Sequence, residues 1–235
     1  MSKIDLCPRL GIMGGLGPLA GVDFYRQFTL LTPASCDADH IPAVLLSLPQ
    51  IPDRSAAILA DTDAPFAGLA TAADLLNGMG VEFIAIPCNS AHHWYERLAA
   101  RSRAKILHIA DAAVAQLREC EVGPNIAIMA TCGTLASGFY QRRLMAAGYR
   151  FSNPVESCFQ DAVENAVCAV KAGEIREARG FVQAALDACM SSEADAIILA
   201  CTELPIAIQG MSPPGAVLID STAALAQSCV SALAG

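Results

Sequence analysis

Two cysteines stand in matching surroundings. Cys88 ends the run Ile84-Ala85-Ile86-Pro87 and is followed by Asn89-Ser90-Ala91. Cys201 ends Ile197-Ile198-Leu199-Ala200 and is followed by Thr202-Glu203-Leu204. In each, an apolar run suited to a buried strand stops at a thiol, and small polar residues that favour helix N-caps come next. Such a thiol lies at the C-terminal edge of a sheet beside a helix start, where α/β proteins bind ligands. Two of them flanking one molecule suit proton exchange at a stereocentre, with a base on one face and an acid on the other. A thiol, with a reference pKa of ~8.5, becomes a workable base once a helix N-terminus lowers its pKa, and its conjugate form is then a competent acid. Backbone N–H groups at those helix starts would hold a carboxylate. One such cysteine alone reads as a buried strand-end thiol. Two at matched positions point to chemistry.

The match extends along the chain. Ile12-Met13 aligns with Ile128-Met129, and Gly17, Leu19, Ala20 and Arg26 align with Gly133, Leu135, Ala136 and Arg142, all at an offset of 116. The cysteines are offset by 113, and Ala112-Ala113-Val114-Ala115-Gln116 matches Ala223-Ala224-Leu225-Ala226-Gln227 at 111. Ordered matches with slowly drifting offsets indicate an internal duplication: two similar α/β halves facing each other, with a cysteine from each entering the cleft.

The elements needed to position the thiols follow from periodicity. Strands are expected at 9–13, 43–48, 81–86, 106–109, 125–129, 196–199 and 217–219, with a further extended piece from Phe151. Helices are expected at 18–31, 66–79, 91–100, 110–120, 135–147, 160–171, 174–190 and 221–233. Pro18 suits a first helical turn, and Gly78 and Gly80 close a helix. Strands alternating with helices imply parallel sheets covered on both faces. The domain reading is 1–109 and 110–217, with 218–235 a helix returning to the first domain.

Composition narrows the functional class. The chain has 235 residues, 54% hydrophobic and 16% charged, which excludes a disordered protein. A net charge of −8 without a Lys/Arg cluster argues against nucleic acid. No apolar run is long enough to span a bilayer, and Met1 to Leu6 lack the apolar core of a signal peptide, so a cytoplasmic protein without a membrane partner is expected. The ten cysteines show no CxxC pair or disulfide framework. Cys88, Cys168, Cys189 and Cys229 sit in apolar or Ala-rich segments, and most of the ten are expected to fill the core.

At this point the residues resemble a family. Gly11-Ile12-Met13-Gly14-Gly15-Leu16-Gly17-Pro18, Pro87-Cys88-Asn89-Ser90-Ala91-His92, Thr131-Cys132-Gly133-Thr134 and Ala200-Cys201-Thr202-Glu203-Leu204 resemble motifs of the aspartate/glutamate racemases that work without pyridoxal phosphate, most closely the aspartate branch. The resemblance runs from Arg9 to Gln227. It implies two flavodoxin-like domains related by a pseudo-twofold axis, no cofactor, no metal, a homodimer, and Cys88 and Cys201 as the acid/base pair. It places Met13, Gly14, Asn89, Ser90, Thr131, Thr134, Thr202 and Glu203 around an amino-acid substrate. It also brings Arg54 and Lys171 toward the charge of an acidic side chain or the thiols. Ser90 stands where the family more often has Thr, a change that preserves hydrogen bonding. Cys132 is a third thiol in a site loop, with a passive role expected.

Competing readings are weaker. Gly15-Leu16-Gly17-Pro18-Leu19-Ala20 fits G-x-G-x-x-[GA], but Asp37 and Asp39 precede the second strand rather than ending it. Cys88 with His92, His93 and His108 suggests zinc, yet the second motif has no histidine, and structural zinc takes four ligands. The expected activity is interconversion of the L and D forms of an acidic amino acid, aspartate first. The same scaffold also serves broad-specificity racemases, maleate isomerases and hydantoin racemases. A non-catalytic binder or thiol redox sensor is the alternative of another class.

Overall fold

The computed structural model describes residues 7–155, 157–209, 211 and 217–234, so the Met1 to Leu6 segment lies outside the described residues. In the first half, β1 (Leu10–Gly14), α1 (Pro18–Leu31), β2 (Ala43–Ser47), α2 (Arg54–Leu59), α3 (Phe66–Gly78), β3 (Phe83–Ala85), α4 (Tyr95–Arg101), β4 (Lys105–Ile106) and α5 (Ile109–Glu119) follow in order. The second half runs β5 (Asn125–Met129), α6 (Cys132–Ser137), α7 (Phe139–Ala146), β6 (Arg150–Phe151), α8 (Ser157–Ala172), α9 (Ile175–Ser191), β7 (Ala196–Leu199), α10 (Leu204–Ala207), β8 (Val217–Asp220) and α11 (Ser221–Ala234).

Both halves build a four-stranded parallel sheet with the same winding, β2-β1-β3-β4 and β6-β5-β7-β8. Alternation along the strands explains why each is covered on both faces. Leu10 and Ile12 pack with Phe24, Phe28, Leu225 and Cys229, while Met13 packs with Leu69 and Leu76 on the opposite face. In the second sheet Ile126 and Ile128 meet Val114, Leu117 and Leu144. Ala127 and Met129 meet Val163, Val167 and Leu186. Each fully buried side chain of this size is worth ~1.5–3 kcal/mol. Helix α11 lies against α1, α5 and β3, and α5 also touches α7 and β8.

Winding in the order second-first-third-fourth reverses direction between β1 and β3, and again between β5 and β7. Those are the switch points of doubly wound sheets. The loops leaving β1 and β3 carry Gly15 to Gly17 and Cys88. Those leaving β5 and β7 carry Thr131 to Thr134 and Cys201.

The structure departs from the sequence expectations in places. Residues 135–147 are not one helix: Gly138, at φ 68°, ends α6 and starts α7. Helices α2 and α10 are too short to show a periodic pattern, and α2 is fixed instead by the Asp53 carboxylate, which accepts from Ala56 N at 2.8 Å. The strand before Cys88 is only Phe83–Ala85, and Ser90–Trp94 is a 3-10 turn ahead of α4. Strand β4 stops at Ile106, and Ile109 already opens α5, because His108 Nδ1 caps that helix by accepting from Ala110 N at 3.1 Å. Cys168 is exposed, because it points off the outer side of α8. Only Cys88, Cys189, Cys201 and Cys229 are buried, so core filling accounts for few of the thiols. Among the described residues no helix is long and apolar enough to cross a membrane.

Behind Cys88, two histidines sit where the halves meet. The His92 and His108 rings are 4.6 Å apart, with Tyr95 against both and Phe139 of α7 5.3 Å from His108. His92 donates from Nε2 to Ile86 O at 3.1 Å. Burial lowers its pKa from 6.5 to about 4, with a smaller opposing effect from the Ile86 carbonyl and a further lowering by Arg143. Burial also lowers His108. Between pH 6.5 and 4 the unfolded chain therefore binds protons that the native state refuses, so stability is complete above that window and falls as pH drops through it. By pH 5, His92 alone accounts for ~2 kcal/mol of loss. Thermal unfolding should fall between pH 7.5 and pH 5, and His92→Gln, which keeps an N–H for Ile86, should shrink the drop. An equal drop in the variant would exclude His92 as the titrating group.

Candidate active site

Cys88 and Cys201, one from each half, line a single chamber of about 30 Å³. Both cysteines are buried, at 6% and 7% exposure. Asn89, Ser90, Thr131, Thr134 and Thr202 complete the polar wall. Leu16, Asp53, Arg54, Lys171 and Glu203 also line the chamber, and the same five border an outer pocket of about 470 Å³. That pocket adds apolar walls from Pro18, Leu19, Pro49, Ile51 and Val170.

The two thiols have different neighbours. Cys88 Sγ lies 3.6 Å from the Ser90 hydroxyl. Cys201 donates its S–H to Glu203 Oε2 at 3.1 Å, and the same oxygen accepts from Thr202 Oγ1 at 3.2 Å. Burial, and after it the Glu203 carboxylate, push the Cys201 thiol well above its ordinary value. The sequence expectation of a thiol acidified by a helix start does not hold for Cys201. The helix after it, α10, is a single turn beginning three residues later, and a carboxylate stands between.

The cations are also placed differently from each other. Arg54 opens α2 and is buried, with 8% exposure. Its Nη1 donates to Ile51 O and Pro52 O, both at 2.9 Å, and its Nη2 to Leu16 O. It therefore ties the loop after β1 to the loop after β2. Its Nε–H is buried without a partner among the described residues. Lys171, in the last turn of α8, reaches across the cleft to within 3.8 Å of Asp53 Oδ2, with its side chain 45% exposed. Burial works against its charge, but Glu203, Cys201, Asp53 and Cys88 raise its pKa, so it is an ammonium in the site.

Met13 and Gly14 do not line the chamber. The Met13 side chain alternates into the core behind β1, and Gly14 O is bonded to Leu48 N. Leu16 takes the position on the wall. The Thr131 hydroxyl caps α6 and lies 3.1 Å from Thr134 Oγ1. Cys132 is set aside from the chamber, its backbone N–H held by Glu164 Oε1 at 2.6 Å. Sequence reasoning missed Asp53 and Ser55, although Pro52-Asp53 just after a strand is a readable helix-start signal. Ser55 Oγ accepts from Gly133 N at 2.9 Å across the two halves.

Two lobes of parallel sheet, each of the same α/β winding, meet at a chamber lined by one thiol from each. The chain belongs to the Asp/Glu/hydantoin racemase family, whose sequence model matches residues 13–229, and it is an amino-acid racemase, an isomerase. It is similar to the Picrophilus torridus aspartate racemase structure, with 29% identity and a TM-score of 0.85 over 96% of this chain and 94% of that one. The broad-specificity amino-acid racemase RacX of Bacillus subtilis (strain 168) is 29% identical over 231 residues, 94% of this chain and 96% of its own. Glutamate racemase from Francisella tularensis shares the fold at 20% identity, with a TM-score of 0.68 over 97% and 81% of the two chains.

The Cys201–Glu203 contact has a measurable consequence. Glu203→Gln removes the charge that disfavours the Cys201 thiolate. Alkylation of Cys201 by iodoacetamide at fixed neutral pH, followed by peptide mass spectrometry, should accelerate by about tenfold, the equivalent of one pKa unit. An unchanged rate would show that the carboxylate does not hold the thiol protonated.

Proposed function

We propose that the protein interconverts L- and D-aspartate by a cofactor-independent two-thiol mechanism. One sulfur, as thiolate, takes the Cα proton from its face, and the other, as thiol, delivers a proton to the opposite face. The roles exchange in the reverse direction. The electron pair left on Cα spreads into the α-carboxylate, so donors around that group stabilise the transition state. The observation that carries this reading is the placement of Cys88 and Cys201 in one chamber, each at the equivalent strand end of its half. The contact with Glu203 supports Cys201 as the acid of the resting enzyme, leaving Cys88 as the base.

An acidic side chain is supported by two cations at the chamber wall, Lys171 and Arg54, the latter with a buried N–H still unspent. Broad specificity is the second reading, favoured by the 470 Å³ outer pocket, which has room for side chains longer than aspartate's. We also propose a cytoplasmic homodimer. Exposed Leu19, Val22 and Leu30 on α1 support association.

In D2O, either aspartate enantiomer should gain deuterium at Cα while optical rotation decays to zero. Cys88→Ala and Cys201→Ala should each abolish racemisation, and a racemising single variant would end the two-thiol mechanism. Cys132→Ala should keep most activity.

Arg54 separates the substrate readings. Its bonds to Leu16, Ile51 and Pro52 serve every substrate, whereas its Nε–H serves an anion. Arg54→Lys should therefore lower kcat/KM for aspartate more than for a neutral amino acid across a substrate panel. Equal losses would assign Arg54 to bracing alone and favour broad specificity.

A further inference from the structure

Asn89 follows Cys88, and its side-chain amide carries two N–H donors and an acceptor oxygen. Buried, such a group must be paired or cost free energy. Asn89 is 3% exposed, and its partners come from distant parts of the chain. Tyr140 of α7 donates its O–H to Asn89 Oδ1 at 2.7 Å. Asn89 Nδ2 donates to Ser221 Oγ at 3.1 Å, and Ser221 Oγ–H donates to Leu199 O at 2.7 Å. Tyr140 is 1% exposed and Ser221 is fully buried.

The direction of this chain is fixed by its last link. Since Ser221 spends its proton on a carbonyl, it can only accept from the amide, so Nδ2 must face Ser221 and Oδ1 must face Tyr140. That leaves one Asn89 side-chain N–H without a partner among the described residues, on a residue that lines the cysteine chamber. The chain starts at Tyr140, passes through Asn89 next to Cys88, and ends at Leu199, two residues before Cys201. It therefore joins the carriers of both sulfurs.

We propose that Tyr140 and Ser221 are positioning residues for racemisation, holding the Asn89 amide in one orientation toward the substrate and fixing the two cysteine-bearing strand ends relative to each other. Neither touches the chamber itself. The proposal rests on the two-thiol reading for its catalytic consequence. Burial raises the Tyr140 phenol well above its ordinary value, so it remains a donor at any working pH.

The experiment uses the full chain as Tyr140→Phe, Ser221→Ala and the double variant, with unfolding followed so that rates refer to folded protein. Each single variant should lower kcat by about tenfold, the scale of one buried hydrogen bond, with KM within about twofold. The double variant should be little worse than the poorer single one, because both act through one amide. The side-chain amide resonances of Asn89 in 1H–15N spectra should move in Tyr140→Phe, without any turnover being needed. Unmoved resonances, a native kcat in Tyr140→Phe, or losses that multiply in the double variant would each overturn the proposal. If the native protein racemises no amino acid, that counts against the two-thiol reading alone, and the resonances still decide whether the amide is held.

Discussion

Two separate sheets can share one cleft only if their C-terminal edges are held face to face, and here two of the close approaches between them are made where there is no side chain. A Cβ on Gly17 would collide with Glu203 Oε1 of the second half, and a Cβ on Gly133 would collide with Ser55 of the first. The two glycines occupy equivalent places in the duplicated halves, so each half presses its bare backbone against the other. The contacts differ in stiffness. Gly133 abuts the Ser55 backbone as well as its hydroxyl, whereas Gly17 meets only the end of the Glu203 side chain. The Gly133 contact is thus the fixed spacer of the cleft, and a side chain there cannot be absorbed by a rotamer change.

That symmetry of backbone supports an asymmetry of charge. Ser90, a neutral hydroxyl, is the neighbour of Cys88, while two residues after Cys201 the chain supplies Glu203. Lys171 stands across from both, paired with Asp53 at 3.8 Å. Glu203 is buried while the Lys171–Asp53 pair is half exposed, so removing Lys171 would leave a buried carboxylate without its facing cation, whereas removing Asp53 would cost little.

What the sequence made legible is what depends on local pattern. The strand ends carrying Cys88 and Cys201, the duplication and the alternating α/β order all follow from apolar runs and their spacing, and the structure returns them as two sheets of one topology. What remained hidden depends on contacts between distant residues. Asn89 meets Tyr140 and Ser221 at separations of 51 and 132 residues. Arg54 reaches back 38 residues to Leu16. A motif placed Met13 and Gly14 near the substrate, but strand alternation sends Met13 into the core. The exposure of Cys168 likewise turns on which face of α8 meets the sheet, and a short Ala-rich window does not settle that.

The unequal thiols do not make the enzyme favour one enantiomer. For a racemisation the equilibrium constant is one, so kcat/KM must be the same in both directions whatever the environment of each sulfur. On the proposed two-thiol mechanism, stabilising the Cys201 thiol would stabilise one protonation form of the free enzyme, the form ready for the enantiomer whose proton Cys88 would remove. On that mechanism the opposite enantiomer would need the other form, and turnover would generate it by moving one proton, net, from sulfur to sulfur through the substrate. The asymmetry must then reappear in kcat and KM separately, compensating between them. A carboxylate beside one thiol would then set which step waits for the proton to return, and would leave the position of equilibrium untouched.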